Sequence, residues 1–422
     1  MKMKKTILVL VIVFMFCDNA IAFETNLTPR MTLGGQYSDN IDRTPNNAEE
    51  DYISSVSPGA TLGLRAATAA LTIAYDPAYV QYKEHSERDQ WRHYATIDGN
   101  WHPGRSTIFD LSNRLTISED PADIRGTSTV TRAPNRYMSN DGTIGMTHHF
   151  GREDIFAIGY NQSLFDSETD IGEDSQRLNP FMNFTWWFIE NEYGLTLYTD
   201  YTRANFQRSD DFDSVSGNLR LRKRYTRNLD AFLQYAYLQT EYEGVSENYK
   251  VHNPGIGINY LSGEHTNISM AIGYFMRERE RSQNDQGAIF TGTLVTAYRY
   301  SRGTISLNAD SGYTQDTFAT ENLGFYVYSG ANIRADYGFT RTLRGDIFCA
   351  YRYAKYLDTE PNIEDHEMNG GVGVSFQTLS WMRFRLEYAH YDLISNDEIR
   401  EYKENRVTLT LTLEPSTPFR WI

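Results

Sequence analysis

Alternation of apolar and polar residues with a period of two is the feature that most narrows what this chain can fold into. In 406–413, Val407, Leu409, Leu411 and Leu413 share one face, and Arg406, Thr408, Thr410 and Thr412 share the other. In 343–353, Leu343, Ile347, Cys349, Tyr351 and Tyr353 oppose Arg344, Asp346, Phe348 and Arg352. The same holds for Met382, Phe384, Leu386 and Tyr388 against Arg383, Arg385 and Glu387. It holds again for Ile305, Leu307 and Ala309 against Thr304, Ser306, Asn308 and Asp310. Such a pattern describes strands with two chemically different faces.

About twenty such segments follow one another, centred near 33, 60, 74, 96, 112, 144, 159, 183, 198, 219, 235, 256, 272, 294, 308, 329, 348, 372, 386 and 409. Each is longer than the ~9–11 residues a tilted strand needs to cross a bilayer. The connections alternate. One set is short: Ala66–Thr68, His102–Arg105, Phe150–Arg152, Ser262–Gly263, Ser301–Gly303 and Phe339–Arg341. The other is longer and acidic: 39–51, 83–90, 119–133, 165–175, 208–213, 241–247, 278–286, 357–367 and 394–400. Short turns on one side and long loops on the other mark a transmembrane barrel. A soluble sandwich has no reason to alternate its loops in this way.

Composition supports the same class. Among 422 residues there are 30 Tyr, 22 Phe and 30 Gly but only 12 Pro. Mean hydropathy is −0.55, and after the first residues no apolar run approaches the ~20 residues of a membrane helix. Aromatics stand near strand ends, as Trp91, Trp101, Trp186, Trp187, Tyr298, Tyr300 and Trp381 do. That is where an interfacial girdle belongs.

Residues 1–22 read as a secretory signal. Lys2, Lys4 and Lys5 precede the apolar stretch Thr6–Cys17, and Ala20-Ile21-Ala22 is a small-x-small cleavage site. Cleavage after Ala22 would take three lysines and one aspartate from 40 basic and 55 acidic residues, leaving 37 against 54, a net charge of −17. Only Cys349 would remain, so no intrachain disulfide forms. The acidic balance argues against nucleic acid as a partner.

The expected fold is therefore all-β, a transmembrane antiparallel up-and-down β-barrel over residues 23–422, of about twenty strands with eighteen as the alternative. The last strand stops near Glu414, and two prolines separate it from Phe419 and Trp421, either of which is a candidate terminal aromatic. Three strands open alike, at Ser57-Pro58-Gly59, Asn253-Pro254-Gly255 and Asn179-Pro180-Phe181.

The segments Pro29-Arg-Met-Thr-Leu-Gly-Gly-Gln-Tyr-Ser-Asp-Asn40, Asp51-Tyr-Ile-Ser-Ser-Val-Ser-Pro-Gly59 and Glu404-Asn-Arg-Val-Thr-Leu-Thr-Leu-Thr-Leu413 resemble those of a β-barrel porin family. Its members are encoded with exopolysaccharide and PEP-CTERM-type loci. The resemblance implies an outer-membrane barrel for polysaccharide export, working with periplasmic export proteins. It brings no catalytic motif.

The residues themselves show no phosphate loop, CxxC, HExxH or GxSxG, so no cofactor, metal or enzyme activity is expected. His148 and His149 are adjacent and point to opposite faces. His390 with Ser395 is the one candidate pair for an outer-membrane hydrolase. Charge is more informative. With both termini periplasmic, inward-facing basic residues gather in the periplasmic half: Arg65, Arg220, Arg222, Arg224, Arg299, Arg334, Arg344, Arg383 and Arg385. Apart from Arg65, these form the expected pore lining. Rings of arginine select anions, so a uronate-bearing form of the polysaccharide that the resemblance implies would be drawn to them, with Arg220, Arg222 and Arg224 together the expected determinant. Their bland alternative is pairing with Asp98, Asp110, Asp200, Asp310, Asp336 and Asp346. Tyr326, Tyr328, Phe348 and Trp187 would narrow the lumen. The acidic clusters Glu49-Glu50-Asp51, Glu168 to Asp174, Asp210 to Asp213 and Glu364 to Glu367 read as solvated loops, bridged by divalent cations to lipopolysaccharide. A second function, a non-conducting structural or adhesive barrel, would act through those loops.

Overall fold

The computed structural model describes residues 24–120, 123, 136–168, 173–190, 192–263, 265–315 and 323–421. The expected signal segment, Asp170 and most of the connection 119–133 lie outside the described residues.

The strands are β1 (Glu24–Ser38), β2 (Asp51–Arg65), β3 (Ala69–Tyr82), β4 (Gln90–Trp101), β5 (Thr107–Ser118), β6 (Tyr137–His149) and β7 (Ile155–Ser167). Then come β8 (Ser175–Ile189), β9 (Tyr193–Phe206), β10 (Phe212–Thr226), β11 (Leu229–Tyr242), β12 (Tyr249–Ser262), β13 (Thr266–Arg279) and β14 (Asp285–Tyr300). The last are β15 (Gly303–Gln315), β16 (Phe325–Gly338), β17 (Leu343–Tyr356), β18 (Glu364–Leu379), β19 (Met382–Ser395), β20 (Tyr402–Leu413) and β21 (Phe419–Trp421).

Each of β1 to β19 pairs antiparallel with the next, and β1 pairs with both β2 and β20, which closes the sheet. Closure leaves no long edge whose amides would lie unpaired in lipid. Every expected strand centre falls inside one of β1 to β20. The twenty-strand count therefore holds over eighteen, with one short strand added.

That addition corrects the expected ending. The ladder stops at Leu413 opposite Met31 and resumes as β21, with Phe419 opposite Leu27 and Trp421 opposite Thr25. The prolines interrupt the seam without diverting it. Phe419 and Trp421 both lie on its outer face and are half exposed.

The shared proline openings also acquire a reason. Pairing with the following strand skips Ser57 to Gly59, Asn179 to Pro180, and Asn253 to Pro254. Proline has no N–H to give, so each opens a gap in one ladder. Polar side chains fill two of these gaps: Arg30 Nε bonds Asp76 at 2.6 Å beside Gly59, and Asn179 Nδ2 reaches Asp200 at 3.0 Å.

Directly opposed residues share a face, so register carries each face round the barrel. Leu195, Leu221, Leu233, Ile256, Ile272 and Phe290 form one row across β9 to β14. One position along, Thr196, Arg220, Gln234 and Gly255 form the next. The apolar row is open on its outer side, with Ile256 62 % exposed. A soluble protein would bury it; this wall faces lipid. Replacing Ile256 with arginine is expected to destabilise the membrane-inserted barrel by about 2–4 kcal/mol. Asn332→Arg, on the opposite face, should change little; equilibrium refolding into vesicles compares the two.

Short connections such as 227–228, 301–302 and 380–381 lie at one end, and long ones such as 39–50 and 119–136 at the other. These ends are called the turn side and the loop side below. In outer-membrane barrels the turn side faces the periplasm.

Candidate functional site

The polar face is the lumen, because its side chains bond partners on strands that are not neighbours. Arg406 on β20 donates from Nη1 and Nη2 to Asp120, just beyond β5, at 3.0 and 3.2 Å. Tyr249 on β12 donates to Gln315 on β15 at 2.6 Å. Arg220 on β10 reaches Ser269 on β13 at 3.3 Å. Only a concave wall brings such residues together.

The loop-side part of the lumen is packed. On the β20–β1–β5 sector, three arginines meet three carboxylates, all buried or nearly so. Arg43 Nε lies 2.9 Å from Glu404, Arg406 Nε 2.8 Å from Glu404, and Arg92 Nε 2.9 Å from Glu119. The Ser38 hydroxyl donates to Glu404 and the Tyr82 hydroxyl to Glu119, each at 2.8 Å. Ile41, Ile53, Val80 and Tyr82 pack alongside. Burial alone would raise the Asp120 carboxyl, but Arg406 and then Arg92 hold it well below the usual carboxylate range. Its neighbour Asp123 goes the other way, pushed up by burial and by the charge of Asp120.

The opposite sector is aromatic. Tyr249, Val251, Phe275 and Phe325 form a buried cluster. The Arg277 guanidinium lies 4.2 Å over Tyr249 and 4.5 Å over Phe325, and pairs with Asp358 at 2.6 Å. Arg400 and Asp365 add a fully buried pair at 2.8 Å. Several acidic residues expected on solvated loops are thus structural: Asp51, Glu173 and Asp365 are buried. Glu173 accepts from the Arg208 amide at 3.0 Å and the Ser209 hydroxyl at 2.7 Å.

The turn side is more open, and the expected pore-lining arginines lie there on the inner face. They divide into two kinds. Arg222 and Arg224 lie 4.8 and 3.9 Å over Trp187 and share Asp230, with Arg224 also 2.6 Å from Glu153. Arg334 and Arg385 share Asp346, at 3.3 and 2.6 Å. These four are anchored. By contrast, Arg65, Arg220, Arg299, Arg344 and Arg383 have no carboxylate within ion-pair reach among the described residues. Arg220 is half-buried over Phe232 at 4.5 Å, whereas the other four are exposed.

The arginines form two sectors, β10 and β14 to β19, with Arg65 on β2, rather than a continuous ring. Of the six aspartates named as their alternative partners, only Asp346 pairs with an arginine among the described residues. Trp187, named both for the girdle and for the lumen, faces inward, two positions along β8 from Thr185, which opposes the lumen-facing Thr196. Tyr326 is buried on the loop side and Phe348 covers Gly371. The pair His390 and Ser395 falls on opposite faces: His390 Nδ1 bonds Asn405 Oδ1 at 2.9 Å on the outer wall, and Ser395 is opposite the buried, lumen-side Asp365. The two cannot act on one substrate atom. His148 on the outer wall bonds Thr107 at 2.9 Å. The loop-side ion cluster was not among the expected sites. Its sequence signal was charge inside strand ends, at Arg92, Glu404 and Arg406.

A closed barrel with an apolar exterior and a charged interior defines a porin-type integral protein of the outer membrane. The chain belongs to the family described as "Putative beta-barrel porin 2", which matches residues 26–172 and 190–415. No curated protein matches its sequence. Among solved structures, the apoprotein form of the FrpB iron transporter from Neisseria meningitidis (F5-1 variant) aligns with TM-score 0.53 and 11 % identity, over 92 % of this chain and 81 % of that one. A BenF-like porin from Pseudomonas fluorescens Pf-5 aligns with TM-score 0.39 and 12 % identity, over 93 % and 99 %.

Proposed function

We propose that the barrel passes an anionic polar solute between periplasm and cell surface, and that the solute is an acidic exopolysaccharide moving outward. The observation that carries this reading is the set of exposed arginines on the turn-side wall that pair with no carboxylate among the described residues: Arg65, Arg299, Arg344 and Arg383. An unpaired lumen arginine keeps its donors free for a carboxylate. Several weak contacts in sequence hold a polyanion without trapping it. The resemblance to barrels of exopolysaccharide loci supports the choice of polymer. A barrel has no energy source, so this reading requires periplasmic export partners on the turn side.

The packed loop side supports the second reading, a barrel closed at rest. The two are compatible if the loop-side packing opens for the polymer. The test is current block in a planar bilayer. Oligouronate added on the turn side should block for longer than a neutral oligosaccharide of equal length. Equal block by both would remove the case for an acidic solute.

A further inference from the structure

One contact recurs on the outer wall. In six loop-side hairpins a lipid-facing tyrosine hydroxyl bonds the residue two positions before its directly opposed partner on the next strand. Tyr37 opposes Tyr52 and bonds Glu50 at 2.6 Å; Tyr201 opposes Val215 and bonds Asp213 at 2.5 Å. Tyr388 opposes Val407 and bonds Asn405 at 2.8 Å. In the other three the partner is histidine Nδ1. Tyr75 bonds His93 at 2.8 Å, Tyr235 bonds His252 at 2.6 Å, and Tyr351 bonds His366 at 2.8 Å.

The shared geometry is the basis on which the direction of the histidine bonds is assigned. The tyrosine hydroxyl donates to the carboxylate oxygens of Glu50 and Asp213 and to the amide oxygen of Asn405. The same donation to Nδ1 leaves a neutral imidazole with its proton on Nε2. That Nε2–H has no protein acceptor among the described residues for His93, His252 or His366. All three stand near the loop-side ends of β4, β12 and β18, facing out, above the apolar band. This is the depth of lipid headgroups.

We propose that these three tyrosine-clasped histidines are binding points for phosphate groups of outer-leaflet lipid. Phosphate is the headgroup acceptor that best suits a fixed N–H donor, since a charged acceptor makes the stronger bond. The surroundings rank the sites. His93 is flanked on its face by Tyr75, Trp91 and Ile117, without a charge. His252 has Lys250 two positions away, with Glu278 opposite that lysine. His366 has Glu364 beside it, paired to Lys355 at 2.6 Å, and Asp392 opposite Met368. His252 is the strongest site and His366 the weakest.

The test uses the full barrel in phosphatidylcholine vesicles doped with lipid A, either bis-phosphorylated or dephosphorylated, and measures lipid retained after detergent extraction. The barrel should retain the phosphorylated form by about tenfold more. His93→Phe/His252→Phe/His366→Phe should lose that preference. Tyr75→Phe/Tyr235→Phe/Tyr351→Phe keeps the rings but frees the imidazole, and should weaken the preference while still inserting. Equal retention of both lipids by the unaltered barrel would overturn the proposal, as would unchanged preference in either folded variant. Competition by inorganic phosphate as effective as by lipid A would overturn the assignment to lipid.

Discussion

Replacing Arg406 with methionine is expected to destabilise the folded barrel by about 3–5 kcal/mol and to raise its conductance. Arg406 holds both Asp120 and Glu404, which are buried. Without it, one of two carboxylates loses its main counter-charge inside packed protein. Arg43 stays on Glu404 at 2.9 Å, whereas Arg92 reaches Asp120 only at 3.7 Å while bonding Glu119, so Asp120 is the carboxylate left short of charge. The cluster joins the β1–β2 loop, β4, the end of β5 and β20, so its loss loosens the β1–β2 loop, whose Ile41 packs with Ile53, Val80 and Tyr82. A paired variant, Arg406→Met with Asp120→Asn, should recover part of the stability but not the closed state. Refolding equilibria give the first number and bilayer recordings the second.

Acid should act on the same cluster. The folded Asp120 carboxyl titrates below its unfolded value, so its contribution is complete above about pH 4 and is lost as pH falls through the lower folded value. The unaltered barrel should therefore lose stability and gain conductance on the acid side. In Arg406→Met that acid step should be much reduced. An identical pH profile in both proteins would mean that Asp120 does not hold the loop side together.

The second large effect concerns selectivity. Arg299→Gln, Arg344→Gln and Arg383→Gln together should shift the reversal potential in a salt gradient towards cation preference. These side chains are exposed to the lumen and unpaired among the described residues. Neutralising the anchored groups as a set, Arg222→Gln and Arg224→Gln with Asp230→Asn and Glu153→Gln, should shift it far less, because two positive and two negative charges leave together and the net lumen charge is unchanged. If the second set changes selectivity more than the first, the division into free and anchored arginines is wrong.

Much of this fold was legible in the sequence for a local reason. A strand's face is set by a period of two, and one residue settles its neighbour. Hence the strand centres, the inner placement of the arginines and the loop asymmetry could all be read from the chain. What closure brings together could not. Arg406 and Asp120 are 286 positions apart, and no local pattern pairs them. The fate of Arg222 and Arg224 turned on partners from other strands and turns, Trp187 on β8 and Glu153, which lies 71 positions from Arg224. The tyrosine clasps were hidden for a subtler reason. Their diagonal geometry is constant, but the sequence gap follows loop length, 18, 17 and 15 positions for the three histidines.

Single-channel recording of the purified, refolded barrel in a planar bilayer tests the central claim most directly. The account predicts anion-preferring current of small amplitude at neutral pH, limited by the loop-side packing, that grows when Arg406 is replaced. A correctly folded barrel that stays silent, with Arg406 intact or replaced, would contradict it and leave the acidic loops as the working part of the protein.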